Sequence, residues 1–214
     1  MNTHFTSDPH FGHHNVIEYS KRPFKDVDHM NQTLIRNWNA AVKNDDTVYC
    51  VGDWSLNWES VEKIVNRLNG TKYLIVGNHD RPHRSFKGKT PAKQEEWFKK
   101  YEDQGFMKVD QHCRIVGYFS EEVRLYHLPY YDPEDCKRDD PTAFRHKEDR
   151  LEDDGILLIH GHQHERMLYS FTPKGTLQVN VGIDAPNAPW SGAYRPATLI
   201  EVQQVIDEAY ASRT

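Results

Sequence analysis

Seven residues in this sequence have metal-binding side chains and fall where the chain leaves an apolar run. They are Asp8 and His10 in "FTSDPHFGHHNVI", Asp53 in "YCVGDW", Asn78 in "IVGNHD", His127 in "RLYHLPYY", and His162 and His164 in "IHGHQHE". The set mixes imidazole with hard oxygen and contains no thiolate. Such donors suit Mn, Fe, Zn or Ni better than an all-oxygen Ca or Mg site. One ion needs three or four protein ligands, so seven suffice for two ions that share a carboxylate. Gly52, Gly77 and Gly161 directly precede Asp53, Asn78 and His162. A residue without a Cβ lets the backbone turn sharply and approach closely there.

The elements that must position these residues follow from the apolar pattern. "THFTSDPH", "DDTVYCVGDW", "TKYLIVGNHD", "EEVRLYHLPYY" and "DGILLIHGHQHE" read as five strands, each ending in candidate ligands. Ligands bind at the carboxyl ends of strands in open α/β sheets. Side-chain alternation along an extended strand would put Asp8 and His10 on one side, and likewise His162 and His164. Two helices lie between the early strands. "VDHMNQTLIRNWNAAVK" repeats Met30, Leu34, Trp38 and Ala41, and "NWESVEKIVNRLNG" repeats Val61, Ile64, Val65 and Leu68 before Gly70. Strand–helix alternation predicts an α/β layered fold with a partly parallel sheet. Beyond residue 105 the pattern turns to hairpins, "HCRIVGYFS" with "EEVRLYH" and then "RMLYSFTPKGTLQVNVGI". The tail "PATLIEVQQVIDEAYA" predicts a closing helix, with Thr198 and Glu201 as its capping box.

Composition bounds the rest. The 214 residues fit a single domain, 1–214, with one sizeable core. The stretch 129–154, rich in Asp, Lys, Arg and Pro, reads as an insertion or lid within it. A net charge of −5 offers no general attraction to nucleic acid. No apolar run reaches the ~18 residues of a membrane span. The N-terminus lacks the charged and apolar regions of a secretory signal. Cys50, Cys113 and Cys136 form no Cys-x-x-Cys pair, which predicts free thiols in a reducing cytoplasm.

The order D-x-H, G-D, G-N-H-D, a lone H and G-H-x-H runs from residue 8 to 164, followed by "NVGID". In this order and spacing the motifs resemble those of the calcineurin-like metallophosphoesterases. Compact bacterial and phage members of that family begin D-x-H-F-G-H and carry R-P-F, as "KRPF" does here. The resemblance implies an αββα sandwich of two sheets with a two-metal site at the strand ends. It places Asp8, His10 and His164 on the first metal, and Asn78, His127 and His162 on the second, with Asp53 bridging. It makes His79 the catalytic group that stabilises or protonates the leaving oxygen. The physical chemistry agrees, because two adjacent cations clamp the phosphoryl oxygens and activate water. A departing alkoxide also needs a proton donor such as histidine.

The resemblance implies a metal-dependent phosphoesterase, with Mn the first choice of ion and Fe, Ni or Zn next. Protein phosphatases of the superfamily extend the second motif to G-D-x-x-D-R-G, whereas this chain reads "GDWSLN". The expected substrate is therefore a small phosphate ester, foremost a phosphodiester of small or cyclic nucleotide type. A phosphomonoesterase, a nuclease and a non-catalytic scaffold on the same fold are the alternatives. His13 and Arg22 are expected at the substrate, Arg22 because a guanidinium forks onto phosphate. Tyr130 and Tyr131 are expected to line the cleft. Trp54 is expected in the core, with stacking on a base as its alternative, and Asp80 is expected to orient a loop or histidine. Arg145, His146 and Lys147 read as a solvated charge run.

Overall fold

The computed structural model of the chain describes residues 1–83, 90–132 and 146–213. Two five-stranded sheets form the framework. The first has the order β10-β1-β2-β3-β4, from β1 (Thr3–Thr6), β2 (Thr47–Cys50), β3 (Thr71–Ile75), β4 (Phe106–Asp110) and β10 (Ala197–Thr198). Strands β1 to β4 are parallel and β10 runs antiparallel on the edge. The second has the order β5-β6-β7-β9-β8, from β5 (Cys113–Ile115), β6 (Val123–Leu125), β7 (Leu157–His160), β8 (Tyr169–Phe171) and β9 (Leu177–Asn180). Its inner strands β6, β7 and β9 are parallel, and β5 and β8 close the two expected hairpins.

Alternation along the strands sorts the core into layers. Val48, Cys50 and Leu74 face a helical layer, while Phe5, Val51 and Ile75 face the second sheet. The helical layer holds α2 (Val27–Ala41), α3 (Trp58–Ile64) and α4 (Pro91–Asp103). Helix α2 starts at Asp26, whose carboxylate accepts from His29 N at 2.7 Å, and buries Met30, Leu34, Ile35 and Trp38. The predicted capping box of α5 (Leu199–Ala211) is present at Thr198 and Glu201. Val202, Val205, Ile206 and Ala209 of α5 enter the core between the sheets. A four-residue turn, α1 (Val16–Tyr19), follows the first motif.

Helix α4 and strand β4 were not expected from sequence. Tyr101 is the one fully buried side chain of α4, and β4 buries only Phe106 and Val109. So faint an apolar stripe gives little periodicity to read.

Of the stretch 129–154, residues 133–145, which include Cys136 and Arg145, lie outside the described residues. Its flanks are tied to the body. Tyr131 N donates to the Leu151 carbonyl at 2.9 Å, and the Tyr130 hydroxyl donates to Ile156 O at 2.9 Å. Cys50 and Cys113 are free thiols. Among the described residues no helix is long and apolar enough to cross a membrane.

The sheets meet at their carboxyl ends. Ser7, just past β1, bridges in parallel to Gly182, just past β9, and Ile183 N donates to Ser7 O at 3.1 Å. Everything that follows β1, β2, β3, β6, β7 and β9 is thereby brought to one junction.

Candidate metal centre

The chain does not stay extended where it leaves these strands. Asp8, His10, Asp53, His162 and His164 all adopt left-handed backbone conformations, with φ between 46° and 68°. Alternation along a strand therefore does not place them, although Asp8 and His10 do fall in one group. Each turn is held by hydrogen bonds instead. Asp8 N donates to Gly52 O at 3.0 Å and His10 N to Asp53 O at 3.1 Å, which locks the first turn onto the second. One consequence is that His162 and His164 separate into different groups.

Asp8, His10 and His164 bring ligand atoms within 4.8 Å of one another, and so do Asp53, His127 and His162. Asp53 stands between the groups. Its Oδ2 lies 3.6 Å from His10 Nε2 and 3.3 Å from His127 Nε2. Its Oδ1 accepts from His79 N at 2.9 Å. Asp8 divides its oxygens in the same way. Oδ2 accepts from His162 N at 3.0 Å, while Oδ1 lies 3.7 Å from both His10 Nε2 and His164 Nε2. Each carboxylate is thus anchored by one oxygen and presents the other.

The imidazoles are oriented too. His127 Nδ1 donates to Val51 O at 2.7 Å, which turns Nε2 toward Asp53. His164 Nδ1 donates to Asp184 Oδ2 at 2.9 Å and leaves Nε2 to face Asp8. Close backbone approach makes room for this packing. A Cβ on Gly52 would overlap the His127 ring, one on Gly77 would overlap Asp53, and one on Gly161 would overlap Ser7 and Asp8.

Burial works against charge in such a place, yet the site is built to hold it. Burial raises the Asp53 carboxyl, and His127, His79 and His10 together hold it well below the carboxylate range. Burial lowers His127, and the Asp53 carboxylate overrides it, pushing the imidazole up to about 10. Burial depresses His10 and His162, which leaves them neutral with a lone pair to offer.

Among the buried side-chain atoms of the described residues that lack a hydrogen-bond partner, four belong to the candidate ligands: Asp8 Oδ1, His10 Nε2, Asn78 Oδ1 and His127 Nε2. Each such orphan costs roughly 1–3 kcal/mol. Their chemistry, two hard oxygens and two imidazole nitrogens, is that of a divalent cation's ligands. The residues present fit a metal centre.

The structure also places the remaining sequence candidates. The His79 side chain is 40% exposed, with Nε2 3.9 Å from Asp53 Oδ2. His13 is half-buried, its ring 5.3 Å from His10 and 6.2 Å from His79. Arg22 differs from expectation. Its side chain is fully buried and forks onto Asp184 through Nε at 3.0 Å and a terminal nitrogen at 2.6 Å. It also donates to the Asp8 and Pro9 carbonyls at 2.7 and 2.9 Å, so its guanidinium is engaged by the protein itself. Tyr130 is 1% exposed and packs with Tyr126, Leu128 and Leu158, so it does not line a cleft. Trp54 packs in the core against Phe11, Trp38 and Phe106, as expected. Asp80 orients a loop, accepting from Trp54 N at 2.9 Å and Gly77 N at 2.8 Å. His146 stands closer to the site than a solvated charge run would, its ring 5.9 Å from His162. Asp184 is the residue that sequence reading missed. Its one signal was its place at the end of "NVGID".

Residues 1–201 match the family profile described as the calcineurin-like phosphoesterase superfamily domain. The chain belongs to this superfamily. A gene 66 protein of Mycobacterium phage L5 is 34% identical, over 86% of this chain and 87% of its own length. An uncharacterized protein of Methanocaldococcus jannaschii is 29% identical over 97% of this chain and 93% of its own. A crystal structure of a protein of unknown function from Aquifex aeolicus superposes with a TM-score of 0.61 at 22% identity, over 95% of this chain and 98% of that one. This last likeness is one of fold. As a calcineurin-like phosphoesterase, the protein is a metal-dependent phosphoric ester hydrolase.

The glycine before Asp53 tests how tightly this phosphoesterase site is packed. Gly52→Ala adds a Cβ into the His127 ring at a φ of +92°. The strained backbone and the overlap together should cost about 2–4 kcal/mol. Urea unfolding measures this, and an unchanged midpoint would refute the packing described.

Proposed function

We propose that this phosphoesterase holds two divalent ions and hydrolyses a small phosphodiester of the nucleotide type. Asp8, His10 and His164 take one ion, Asn78, His127 and His162 take the other, and Asp53 bridges them. The supporting observation is the set of four buried, unpartnered donor atoms, of which His10 Nε2 and His127 Nε2 flank Asp53. Bound ions supply Lewis acidity toward the phosphoryl oxygens and an activated water. The chain supplies the rest. Asp8 and Asp53 keep their charge in a buried site and fix the ligand geometry through anchored oxygens. His79, partly exposed beside Asp53, donates a proton to the leaving oxygen. His13, beside His10 and His79, contacts the substrate from the same side.

Two observations favour a compact substrate. Asn57, where the protein-phosphatase pattern has Arg, is spent as the N-cap of α3, accepting from Ser60 N at 2.8 Å. The net charge of −5 opposes polyanions, whose binding rests on many Lys and Arg contacts.

Chelation should abolish hydrolysis, and Mn should restore it better than Mg, because imidazole nitrogen is a poor partner for Mg. Full activity in chelator, or rescue by Mg alone, overturns the two-ion centre.

His79→Ala should keep both ions, read by metal analysis, while hydrolysis falls by ~10²–10⁴-fold. The loss should shrink for nitrophenyl esters, whose leaving groups need little protonation. An equal loss for nitrophenyl and ribosyl leaving groups would assign His79 to charge stabilisation instead.

The substrate class is tested with Mn present on cyclic nucleotides, bis-nitrophenyl phosphate, nitrophenyl phosphate, a phosphopeptide and duplex DNA. Small diesters should be the best substrates. Preference for the monoester, or duplex cleavage that falls steeply with salt, would displace the diesterase reading.

A further inference from the structure

A buried ion pair stands directly behind the first ligand group. Arg22 is fully buried and the Asp184 side chain is 3% exposed. The guanidinium does two things at once. With one fork it grips Asp184, at 3.0 Å from Nε and 2.6 Å from a terminal nitrogen. With its other edge it holds the carbonyls of Asp8 and Pro9, at 2.7 and 2.9 Å. Asp184 in turn accepts from His164 Nδ1 at 2.9 Å. A single guanidinium therefore joins the left-handed Asp8-Pro9-His10 turn to the imidazole that arrives from the other sheet.

We propose that Arg22 and Asp184 are positioning residues that set the metal affinity of the Asp8–His10–His164 position and leave the Asn78–His127–His162 position largely untouched. The inference rests on the two-ion reading above. A carboxylate behind a ligating imidazole fixes its tautomer and raises its basicity. His164 has that partner, whereas His127 is held by the neutral carbonyl of Val51. His164 also needs holding more, because its side chain is 24% exposed while that of His127 is fully buried. The planar fork is what lets one cation reach a carboxylate and two carbonyls, and an ammonium cannot reproduce it. The "KRPF" and "NVGID" motifs thereby find a shared use, on opposite sides of one ion pair.

The test measures metal, not turnover. Metal-free wild type, Arg22→Lys and Asp184→Asn are titrated with Mn and with Co, by calorimetry and by metal content after dialysis. Wild type should take up two ions. Both variants should weaken one position by ~10–100-fold, the usual effect of disturbing a ligand's outer partner. The other position should keep its affinity. Equal weakening of both positions, or of neither, overturns the role of the pair. Fewer than two ions in wild type would instead defeat the two-ion reading. Asp184→Asn preserves shape and an acceptor, so it decides if Arg22→Lys fails to fold. If neither variant gives a cooperative thermal transition, the pair serves the fold and the inference is lost.

Discussion

The site depends on a backbone conformation that most side chains avoid. Nine non-glycine residues with positive φ occur among the described residues, and five of them are Asp8, His10, Asp53, His162 and His164. Left-handed backbone costs an ordinary L-residue roughly 1–2 kcal/mol. Asp and His are among the types that tolerate it best. Such strain persists only where surrounding structure over-determines it. Here the overdetermination is visible as bonds that cross between turns, from Asp8 N to Gly52 O, His10 N to Asp53 O, and His162 N to the Asp8 carboxylate. Each turn is thus shaped by another turn. An extended strand would have kept His162 and His164 on one side, and the reversed turns instead send them to different groups on either side of Asp53.

Charge imposes the second condition. Two buried carboxylates near each other would ordinarily take up protons. Both are instead held in the charged form by imidazoles that line the same space. The arrangement is incomplete as protein alone, since four donor atoms point at no partner. A folded chain that leaves such atoms unmet forgoes stability in order to keep a ligand site open. The two sheets supply opposite halves of this site, so the Ser7–Gly182 bridge that fastens them also fixes the spacing of the ligands.

How far the sequence could be read varies with the physics behind each feature. Helices α2 and α5 were legible because a wide apolar face and a capping side chain leave a periodic trace. Helix α4 was not, because Tyr101 is its only fully buried side chain, with Trp97 and Phe98 packed partly exposed beside it. The ligand-type residues were legible as types at strand ends. Their sorting into two groups came only from the motif resemblance and not from the strand pattern, because it follows from left-handed turns that no alternation rule describes. Arg22 shows the sharpest limit. A guanidinium in a motif beside a phosphate-binding site reads as a phosphate ligand, and the same residue type serves equally well to clamp a buried carboxylate. Only the position of Asp184, 162 residues away along the chain, separates the two readings.

These distinctions explain why the reaction class is clearer than the substrate. The residues that make the motifs recognisable lie behind or beneath the donor atoms: Gly52, Gly77 and Gly161 give clearance, Asp80 and Arg22 hold loops, and Trp54 fills the core. They answer to the geometry of the centre, which is the same whatever ester is cleaved. On the proposed function, choice of substrate falls to side chains beside the donor atoms. Among the described residues these include His13 and His79, with His146 standing next to His162. Selectivity would then be set around a centre whose form the two sheets dictate.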